Sequence, residues 1–353
     1  MTLSVRLPLE AASVLVVCLL PACGSVVHET PQPDGGTRDG SHVQDGGEHE
    51  VGCNSGQAAI QCIAAADSTH LNGFITVDDA NIYWGEHGQT SADDFVMRAS
   101  RTGGGAVTLA RGTANALASD GTDLYWTDWD QAGGNTGTIR RIPVTGGALT
   151  TLATVSSPLC IALDDANVYW SEVWSGALVE LPKAGGTAIT LAHAMAGLSS
   201  SSIALDGHNV YWSAPAPVSV SKAGGAVSPV WDNVPAAYEP QSYCRSIAVV
   251  GSTLAFSFSL AGASSNVGRL PVTGGTSPDF IDPPGIPSSL GAGTTGVIWL
   301  DYGTAIQIDE ASVVGGGIST LTAPPDPTIQ DIVVASDGTI YWTGDFQVQS
   351  LKP

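Results

Sequence analysis

The sequence predicts an all-β fold made of repeated units, and three observations lead to that prediction. The 353 residues include 43 glycines and 21 prolines spread along the chain, which disfavours a helical protein. An aromatic pair or its substitute recurs seven times at steps of 42 to 44 residues, from Tyr83-Trp84 to Tyr341-Trp342. Turn residues separate short β-branched and aromatic segments within each step. The apolar fraction of 43% is enough for a packed core.

Each unit divides into four strands. In the unit around Tyr169-Trp170, a short apolar segment meets the turn DDAN, and a β-branched and aromatic strand follows. A third strand, LVELP, leads to the turn Gly185-Gly186 and then to a fourth strand, AITLA. Four antiparallel strands in a unit of this length are typical of a β-propeller blade rather than of a helical array.

The two ends of the chain predict how the ring closes. The seventh unit stops at Leu351-Lys352-Pro353, after its third strand. The missing strand is found near the other end, because residues 60–64 (IQCIA) align with the fourth strand at 188–192. We therefore expect seven blades, with an N-terminal strand that completes the last blade and leaves no free edge.

The repeat carries a recognisable motif. Tyr125-Trp126-Thr127-Asp128 resembles the YWTD repeat of low-density-lipoprotein-receptor-type propellers, and YWSE (169–172) and YWTG (341–344) are close variants. The resemblance extends over residues 60–353. Propellers of that family have six blades, so six is the alternative to the seven counted here.

The first fifty residues predict export. Arg6 precedes the apolar run AASVLVVCLL (11–20), which is too short to cross a bilayer and is typical of a signal peptide. Leu20-Pro21-Ala22-Cys23 resembles the bacterial lipobox, which implies an acylated Cys23 as the mature N-terminus and, with Gly24 next to it, the outer membrane. An ordinary signal cleaved nearby is the alternative. Residues 1–22 are thus interpreted as the signal, 23–50 as a flexible Gly/Asp-rich tether, and 51–353 as the propeller.

The remaining cysteines fit an exported protein. A disulfide between Cys53 and Cys62 would pin the closing strand to the segment before it. Cys160 and Cys244 precede the innermost strands of blades three and five, and the sequence leaves open whether they pair.

Charge excludes one class of partner. Twelve basic residues against 33 acidic residues give a net charge of −21 with no basic run, so we expect no nucleic-acid partner. No zinc spacing, nucleophile elbow, P-loop or dinucleotide fingerprint occurs, and the histidines fall at different positions of the repeat.

Two sets of acidic residues recur with the repeat. The first set lies six residues before the tryptophan, where it either begins a turn or, as the alternative, forms a ring of calcium ligands: Asp78, Asp120, Asp164 and Asp206. The second set lies two residues after the tryptophan, where the resemblance implies a structural contact between blades and the alternative is a patch for a cation: Glu86, Asp128, Glu172 and Asp301. We expect no cofactor, with Ca²⁺ as the alternative.

Three tryptophans depart from the repeat. Trp129 and Trp174 follow second strands, and Trp231 begins a connection between blades that also contains Tyr238, Tyr243 and Arg245. Connections of these two kinds emerge on one face of a propeller, and Trp, Tyr and Arg are common interface anchors. These six residues are therefore the predicted ligand-binding set, and the alternative is that they only pack their own loops.

The sequence thus favours a lipid-anchored, monomeric, non-enzymatic recognition module that binds a protein, peptide or glycan of the cell envelope. A metal-dependent envelope enzyme, similar to propeller lyases or lactonases, is the alternative. A structural envelope component without a discrete ligand is a third possibility, because a propeller fold alone does not decide function.

Overall fold

The chain folds into seven four-stranded antiparallel sheets, as a computed structural model shows. The structure describes residues 60–65, 71–130, 134–193, 202–213, 216–232, 234, 243–259, 265–324, 328–344 and 347–352. The predicted signal, the tether with Cys23, and Cys53 lie outside these residues. In each blade the strands follow one another as a meander, from A, the first and innermost, to D, the outermost.

The first four blades follow the chain in order. Blade one contains β2 (Leu71–Val77), β3 (Asn81–His87), β4 (Phe95–Ser100) and β5 (Val107–Arg111), with a 3₁₀ turn (Ser91–Asp93) between β3 and β4. Blade two contains β6 (Ala114–Ser119), β7 (Asp123–Asp128), β8 (Thr136–Pro143) and β9 (Thr150–Ser156). Blade three contains β10 (Pro158–Leu163), β11 (Asn167–Glu172), β12 (Ala177–Pro182) and β13 (Ile189–His193). Blade four contains β14 (Ile203–Leu205), β15 (Asn209–Trp212), β16 (Val218–Ser221) and β17 (Ser228–Pro229).

The last three blades complete the ring. Blade five contains β18 (Tyr243–Val250), β19 (Thr253–Ser259), β20 (Ser265–Pro271) and β21 (Asp279–Ile281). Blade six contains β22 (Ile286–Ala292), β23 (Gly296–Tyr302), β24 (Ile306–Ser312) and β25 (Ser319–Thr322). Blade seven contains β26 (Asp331–Val334), β27 (Ile340–Thr343), β28 (Gln347–Leu351) and, from the other end of the described chain, β1 (Ile60–Ala65).

Strand β1 closes the ring as the sequence predicts. It pairs antiparallel with β28, with Ile60 opposite Leu351 and Ala65 opposite Gln347. Ile60 is buried in a cluster with Ile298 and Trp342, so the closing strand contributes to the core as well as to the sheet. Seven blades and the N-terminal closure are both confirmed, and the six-blade alternative is wrong.

The core consists of seven hydrophobic clusters, each of which spans an interface between neighbouring blades. Successive side chains of a strand point to opposite faces, so the two residues of the repeated aromatic pair contact different neighbours. Tyr83 of blade one packs with Trp126 of blade two, and Tyr125 of blade two packs with Trp170 of blade three. The last cluster joins Tyr341 of blade seven to Trp84 of blade one. The repeated positions therefore contact each other between neighbouring blades, as tyrosine and tryptophan at four of the seven interfaces.

Irregularities in the innermost strands are compensated by hydroxyl groups. The pairing of β10 with β11 shifts between Pro158 and Ile161, and the N–H of Cys160 donates to Oγ of Ser171 over 3.3 Å. Blade five repeats this arrangement, because the N–H of Ser246 donates to Oγ of Ser257 over 3.0 Å. A serine just after the repeated aromatic residue thus satisfies a backbone group that the bulge leaves without a strand partner.

The structure bears on the pairing of the cysteines and on membrane-spanning helices. Cys160 and Cys244 are both buried, and no disulfide joins them across the channel. The pairing of Cys62 with Cys53 stays a prediction, because Cys53 lies outside the described residues. Among the residues that the structure describes, no helix has the length and apolar character needed to span a membrane.

Closure by β1 predicts a specific loss of stability. Replacing Ile60 with Ala removes buried methyl groups next to Trp342 and should lower the free energy of unfolding by about 2–4 kcal/mol. Urea unfolding followed by tryptophan fluorescence measures this change. The matched control is Gln61→Ala at the exposed neighbouring position, which should stay within about 0.5 kcal/mol of wild type. Equal stabilities of the two variants would show that β1 does not contribute to the core.

Candidate functional site

The two ends of the strands form two different faces. The B–C and D–A connections emerge together on one face, which we call the loop face; the A–B and C–D turns emerge on the other, the turn face. The loop face carries the longer and less regular connections. The predicted ligand-binding residues belong to these connections or adjoin them. Their exposure therefore determines whether the loop face can bind a ligand through them.

Trp174 is the exposed tryptophan of this protein. Its side chain is 45% exposed, whereas the other eight tryptophans are buried. It lies in the short B–C turn of blade three, where Gly176 N–H donates to the carbonyl of Glu172 and Ser175 Oγ donates to the Glu172 carboxylate over 2.8 Å. The N–H of Val173 also donates to the carbonyl of Ser157. The turn is thus fixed by hydrogen bonds on both sides of an indole that faces solvent.

Trp129 is placed in a B–C connection as predicted, but its ring is buried. The indole Nε1–H donates to the carbonyl of Gly134 over 2.7 Å. The backbone carbonyl of Trp129 accepts a hydrogen bond from Nδ2 of Asn115 over 2.8 Å. The connection between β7 and β8 spans residues 129–135, so the hydrogen bond to Gly134 joins its two ends. In this structure Trp129 packs its own loop, which is the alternative stated above.

Trp231 is also buried, at the start of the connection that follows β17. It forms a parallel bridge with Gly275 in the C–D turn of blade five, and its ring contacts Phe256, Phe258 and Phe280. The physical reason lies in the repeat, because Phe256 stands where most other blades have Trp. A larger side chain from the end of blade four fills the space that the smaller ring leaves between blades four and five.

The other predicted residues are only partly described. Tyr238 lies outside the described residues. Tyr243 begins the innermost strand of blade five, where its backbone pairs with Ser259. Arg245 follows two residues later on this strand and is partly buried. Tyr243 and Arg245 therefore lie at the start of the A strand of blade five, while Trp174 lies two blades away on the same face.

A histidine–carboxylate pair on the loop face was missed by the sequence analysis. Nδ1 of His87 lies 3.4 Å from Oδ2 of Asp94, at the two ends of the B–C connection of blade one. Burial would raise the pKa of Asp94, but hydrogen bonds from His87, from Thr113 and from the N–H of Gly88 outweigh it and lower that pKa. His87 remains about one-third exposed. The signal in the sequence was its position at the start of a B–C connection rather than any motif.

The first acidic set forms turns, as the sequence favours. Oδ1 of Asp78 accepts hydrogen bonds from the N–H groups of Ala80 and Asn81, and Oδ2 accepts the hydroxyl of Tyr83 over 2.6 Å. Asp120, Asp164 and Asp206 repeat the backbone part of this arrangement in their blades. These carboxylates therefore lie on the turn face and fasten the A–B turns.

Some of these turns are also linked to the next blade. Lys183 Nζ lies 2.8 Å from Asp120 Oδ2, and Lys222 Nζ lies 3.0 Å from Asp164 Oδ2, each lysine standing in the C–D turn of the following blade. Arg101 makes the equivalent ion pair with Asp337 between blades one and seven. The basic residues of the turn face thus compensate part of the acidic charge.

The second acidic set is structural, but mainly within its own blade. Oε1 of Glu86 accepts the indole N–H of Trp84 over 3.1 Å, and Gln349 accepts that of Trp342 in blade seven over 2.9 Å. Asp128 pairs with Arg140 of its own blade over 2.9 Å. Asp301 does reach the link between blades, because its Oδ2 accepts the N–H of Gly285 in the connection from blade five.

A line of polar side chains joins the innermost strands of blades four to seven and one. The Oγ atoms of Ser202, Ser246 and Ser289 accept the N–H groups of Ile247, Leu290 and Ile332 in the next blade, and Asp331 accepts that of Ile75 in blade one. Burial raises the pKa of Asp331 to about 6, against the effect of these hydrogen bonds. The wall of the channel is therefore held by side chains that leave few free polar groups for a ligand.

Metal ligands do not cluster in the part of the chain described here, because no group of three or more His, Cys, Asp or Glu residues comes together there. The two recurrent acidic sets instead make the contacts given above. The Ca²⁺ alternative stays an untested expectation.

Comparisons with known proteins support the fold. No family model matches the chain, and no curated protein matches it. The chain is similar to a catalytically inactive variant of virginiamycin B lyase from Staphylococcus aureus, solved with quinupristin, with a TM-score of 0.66, 16% identity and coverage of 83% of this chain and 99% of that chain. It is also similar to the WD40 propeller domain of Doa1, with a TM-score of 0.63, 12% identity and coverage of 83% and 96%. At such identities the likeness shows a β-propeller and leaves function open.

The buried pair of Asp301 and Asp309 predicts a pH dependence. Burial raises the pKa of Asp301 to about 6, and the nearby carboxylate of Asp309 adds to the increase. The folded state then binds more protons than the unfolded state between about pH 4 and pH 6, so this carboxyl lowers the free energy of unfolding as the pH rises through that window. We expect the difference between wild type and Asp301→Asn to change by about 2 kcal/mol from pH 4 to pH 7.

Denaturant unfolding at several pH values measures this difference. Asn keeps an acceptor for the N–H of Gly285, so the substitution removes the ionisation and preserves the hydrogen bond. Asp232→Asn at an exposed carboxyl on the blade four connection is the control. A wild-type-minus-Asp301→Asn difference that is flat with pH would contradict the prediction.

Proposed function

We propose that this protein is a non-enzymatic recognition module that binds a protein, peptide or glycan of the cell envelope on its loop face. One observation carries the proposal: Trp174 is the exposed member of nine tryptophans, on a turn fixed by hydrogen bonds. Exposing an indole costs hydrophobic free energy, and tryptophan is enriched among residues that dominate binding interfaces. A fixed turn also reduces the ordering cost on binding.

The burial of two of the three predicted tryptophans makes the proposed binding surface smaller than the sequence predicts. Trp129 and Trp231 are buried, so the surface proposed here is centred on Trp174 rather than on three tryptophans. Tyr243 and Arg245 start the innermost strand of blade five on the same face, and they stay in the proposal as its second part. The turn that holds Trp174 is fixed by hydrogen bonds, which suits recognition without a large conformational change.

The anchor belongs to the same proposal. The apolar run at 11–20 and the lipobox-like segment ending at Cys23 support export and acylation, and the tether at 24–50 would hold the propeller away from the membrane. An outer-membrane location is proposed from Gly24. These segments lie outside the described residues, so the support comes from the sequence.

Binding through Trp174 predicts a selective loss. Trp174→Ala should reduce retention of the purified protein on washed cell envelopes of the source bacterium at least tenfold, because a central interface tryptophan contributes about 2 kcal/mol or more. The control is Ile189→Ala, since Ile189 is an equally exposed apolar residue of the same blade on its outer strand. Iodide quenching gives a second readout, because bound envelope material should protect the exposed indole. Equal retention of both variants would refute the proposed site.

The lipid anchor predicts a separate outcome. Cys23→Ser should abolish incorporation of labelled palmitate and release the protein from the membrane fraction in cells that export it. Cys18→Ser, inside the apolar run, is the matched control and should leave both unchanged. Labelling that persists in Cys23→Ser would exclude this cysteine as the acylation site.

An envelope enzyme is the second candidate, and the pair of His87 and Asp94 favours it. A carboxylate beside one imidazole nitrogen fixes the orientation of a histidine that could act as a general base. The pair lacks a third chemical partner among the described residues beyond Thr113, which donates to Asp94 rather than to His87. Measuring the metal content of the purified protein would test the metal-dependent form of this candidate.

A further inference from the structure

The turn face contains a cavity at the seam where the ring closes. Its volume is about 370 Å³, and it lies between blade seven and blade one. Its lining includes Gln61, Asp79, Arg101, Asp337, Tyr341 and Ser350. A cavity of this size is within the range of small-molecule sites.

A small side chain at one repeat position leaves room for the cavity. In the third strand, the residue opposite the first member of the aromatic pair is long in five blades: Arg98, Arg141, Glu180, Arg269 and Glu310. The three arginines reach the C–D turn of the next blade and donate to backbone carbonyl groups there. Blades four and seven have serine here, Ser219 and Ser350. In blade seven no long side chain crosses to blade one from this position, and Ser350 lines the cavity.

The charges around the cavity balance, and both cations pair with Asp337. Arg101 enters from blade one, and its Nη2 lies 2.7 Å from Oδ1 of Asp337 while its Nε donates to the hydroxyl of Tyr341 over 2.9 Å. Nη1 of Arg101 donates to the carbonyl of Asp79 over 3.2 Å. Lys352, more exposed, lies 3.8 Å from Asp337. The carboxylate of Asp79 accepts the hydroxyl of Ser336 over 3.0 Å. Two cations and two carboxylates balance, so the lining has no net charge to attract a charged ligand.

The lining instead offers neutral hydrogen-bonding groups. Thr102, Thr339 and Ser350 have hydroxyl groups, and Gln61 has an amide. Such groups, together with a guanidinium and carboxylates held in place, can donate to and accept from a ligand with many hydroxyl groups. We propose that this seam cavity binds a neutral sugar unit of a glycan. It is a site separate from Trp174, because the two lie on different faces of the ring.

The test uses the full-length exported protein and neutral methyl glycosides of glucose, galactose, mannose and N-acetylglucosamine, with glucuronate and glucosamine as charged probes. Saturation-transfer NMR and calorimetry measure binding. We expect at least one neutral glycoside to bind with an affinity that added salt does not change. Ser350→Arg should weaken it at least tenfold, because the new side chain fills the cavity as in blades one, two and five.

Matched variants keep the test decisive. Ser219→Arg makes the same change at the same repeat position in blade four and should bind as wild type does. Thr102→Trp blocks the cavity from an exposed position of the turn, which covers the case in which Ser350→Arg fails to fold. Trp174→Ala should leave sugar binding intact, so failure of this site and failure of the loop-face proposal can be told apart. Absence of binding by all neutral glycosides, tighter binding of a charged probe, or full binding by Thr102→Trp would overturn the proposal.

Discussion

The structure depends on the alternation of side chains along the second strand of each blade. Because neighbouring residues point to opposite faces, the tyrosine and tryptophan of one repeat contact two different blades. Four of the seven interfaces join the tyrosine of one blade to the tryptophan of the next, and the ring is complete when Tyr341 meets Trp84. Blades five and six test this constraint, since they have Ala255 and Ile298 in place of tyrosine. Leu290 and Ile318 pack beside Ala255, and Ile60 and Leu300 pack in the cluster of Ile298. Between blades four and five, where Phe256 replaces the tryptophan, Trp231 packs beside the phenylalanine ring.

Most polar residues of the repeat serve that packing. Carboxylates fasten the A–B turns, accept indole N–H groups or hold the connections between blades, and serines satisfy backbone groups in the innermost strands. Buried polar groups without such partners would cost free energy, so a propeller with many bulged inner strands needs them. Residues outside this scheme are the informative ones. Trp174 and the partly filled seam around Arg101 belong to that small group.

The fold was predictable because it is periodic, whereas the site was not. Steps of 42 to 44 residues, and the alignment of residues 60–64 with a fourth strand, were sufficient for the blade count and for the closure. The position of a residue in the sequence repeat assigns it to a connection, but it does not predict whether the side chain is buried or exposed there. Trp129 and Trp174 occupy similar places, yet the longer connection buries the first and the short turn exposes the second. Trp231 is buried beside Phe256, whose ring is smaller than the tryptophan at this position in the other six blades, and only the packing between neighbouring blades shows this contact.

Closure by β1 also determines how the ring would respond to a mechanical load. A pull transmitted through the N-terminal end acts first on the pairing of Ile60 with Leu351, because β1 is the strand nearest that end. The strand that detaches first is thus the one that closes the ring, and it would take Ile60 out of the cluster with Trp342. The other six blades keep all four of their strands under the same pull. For a propeller held by its N-terminus, the seam between blades seven and one is therefore the place where tension would open the ring.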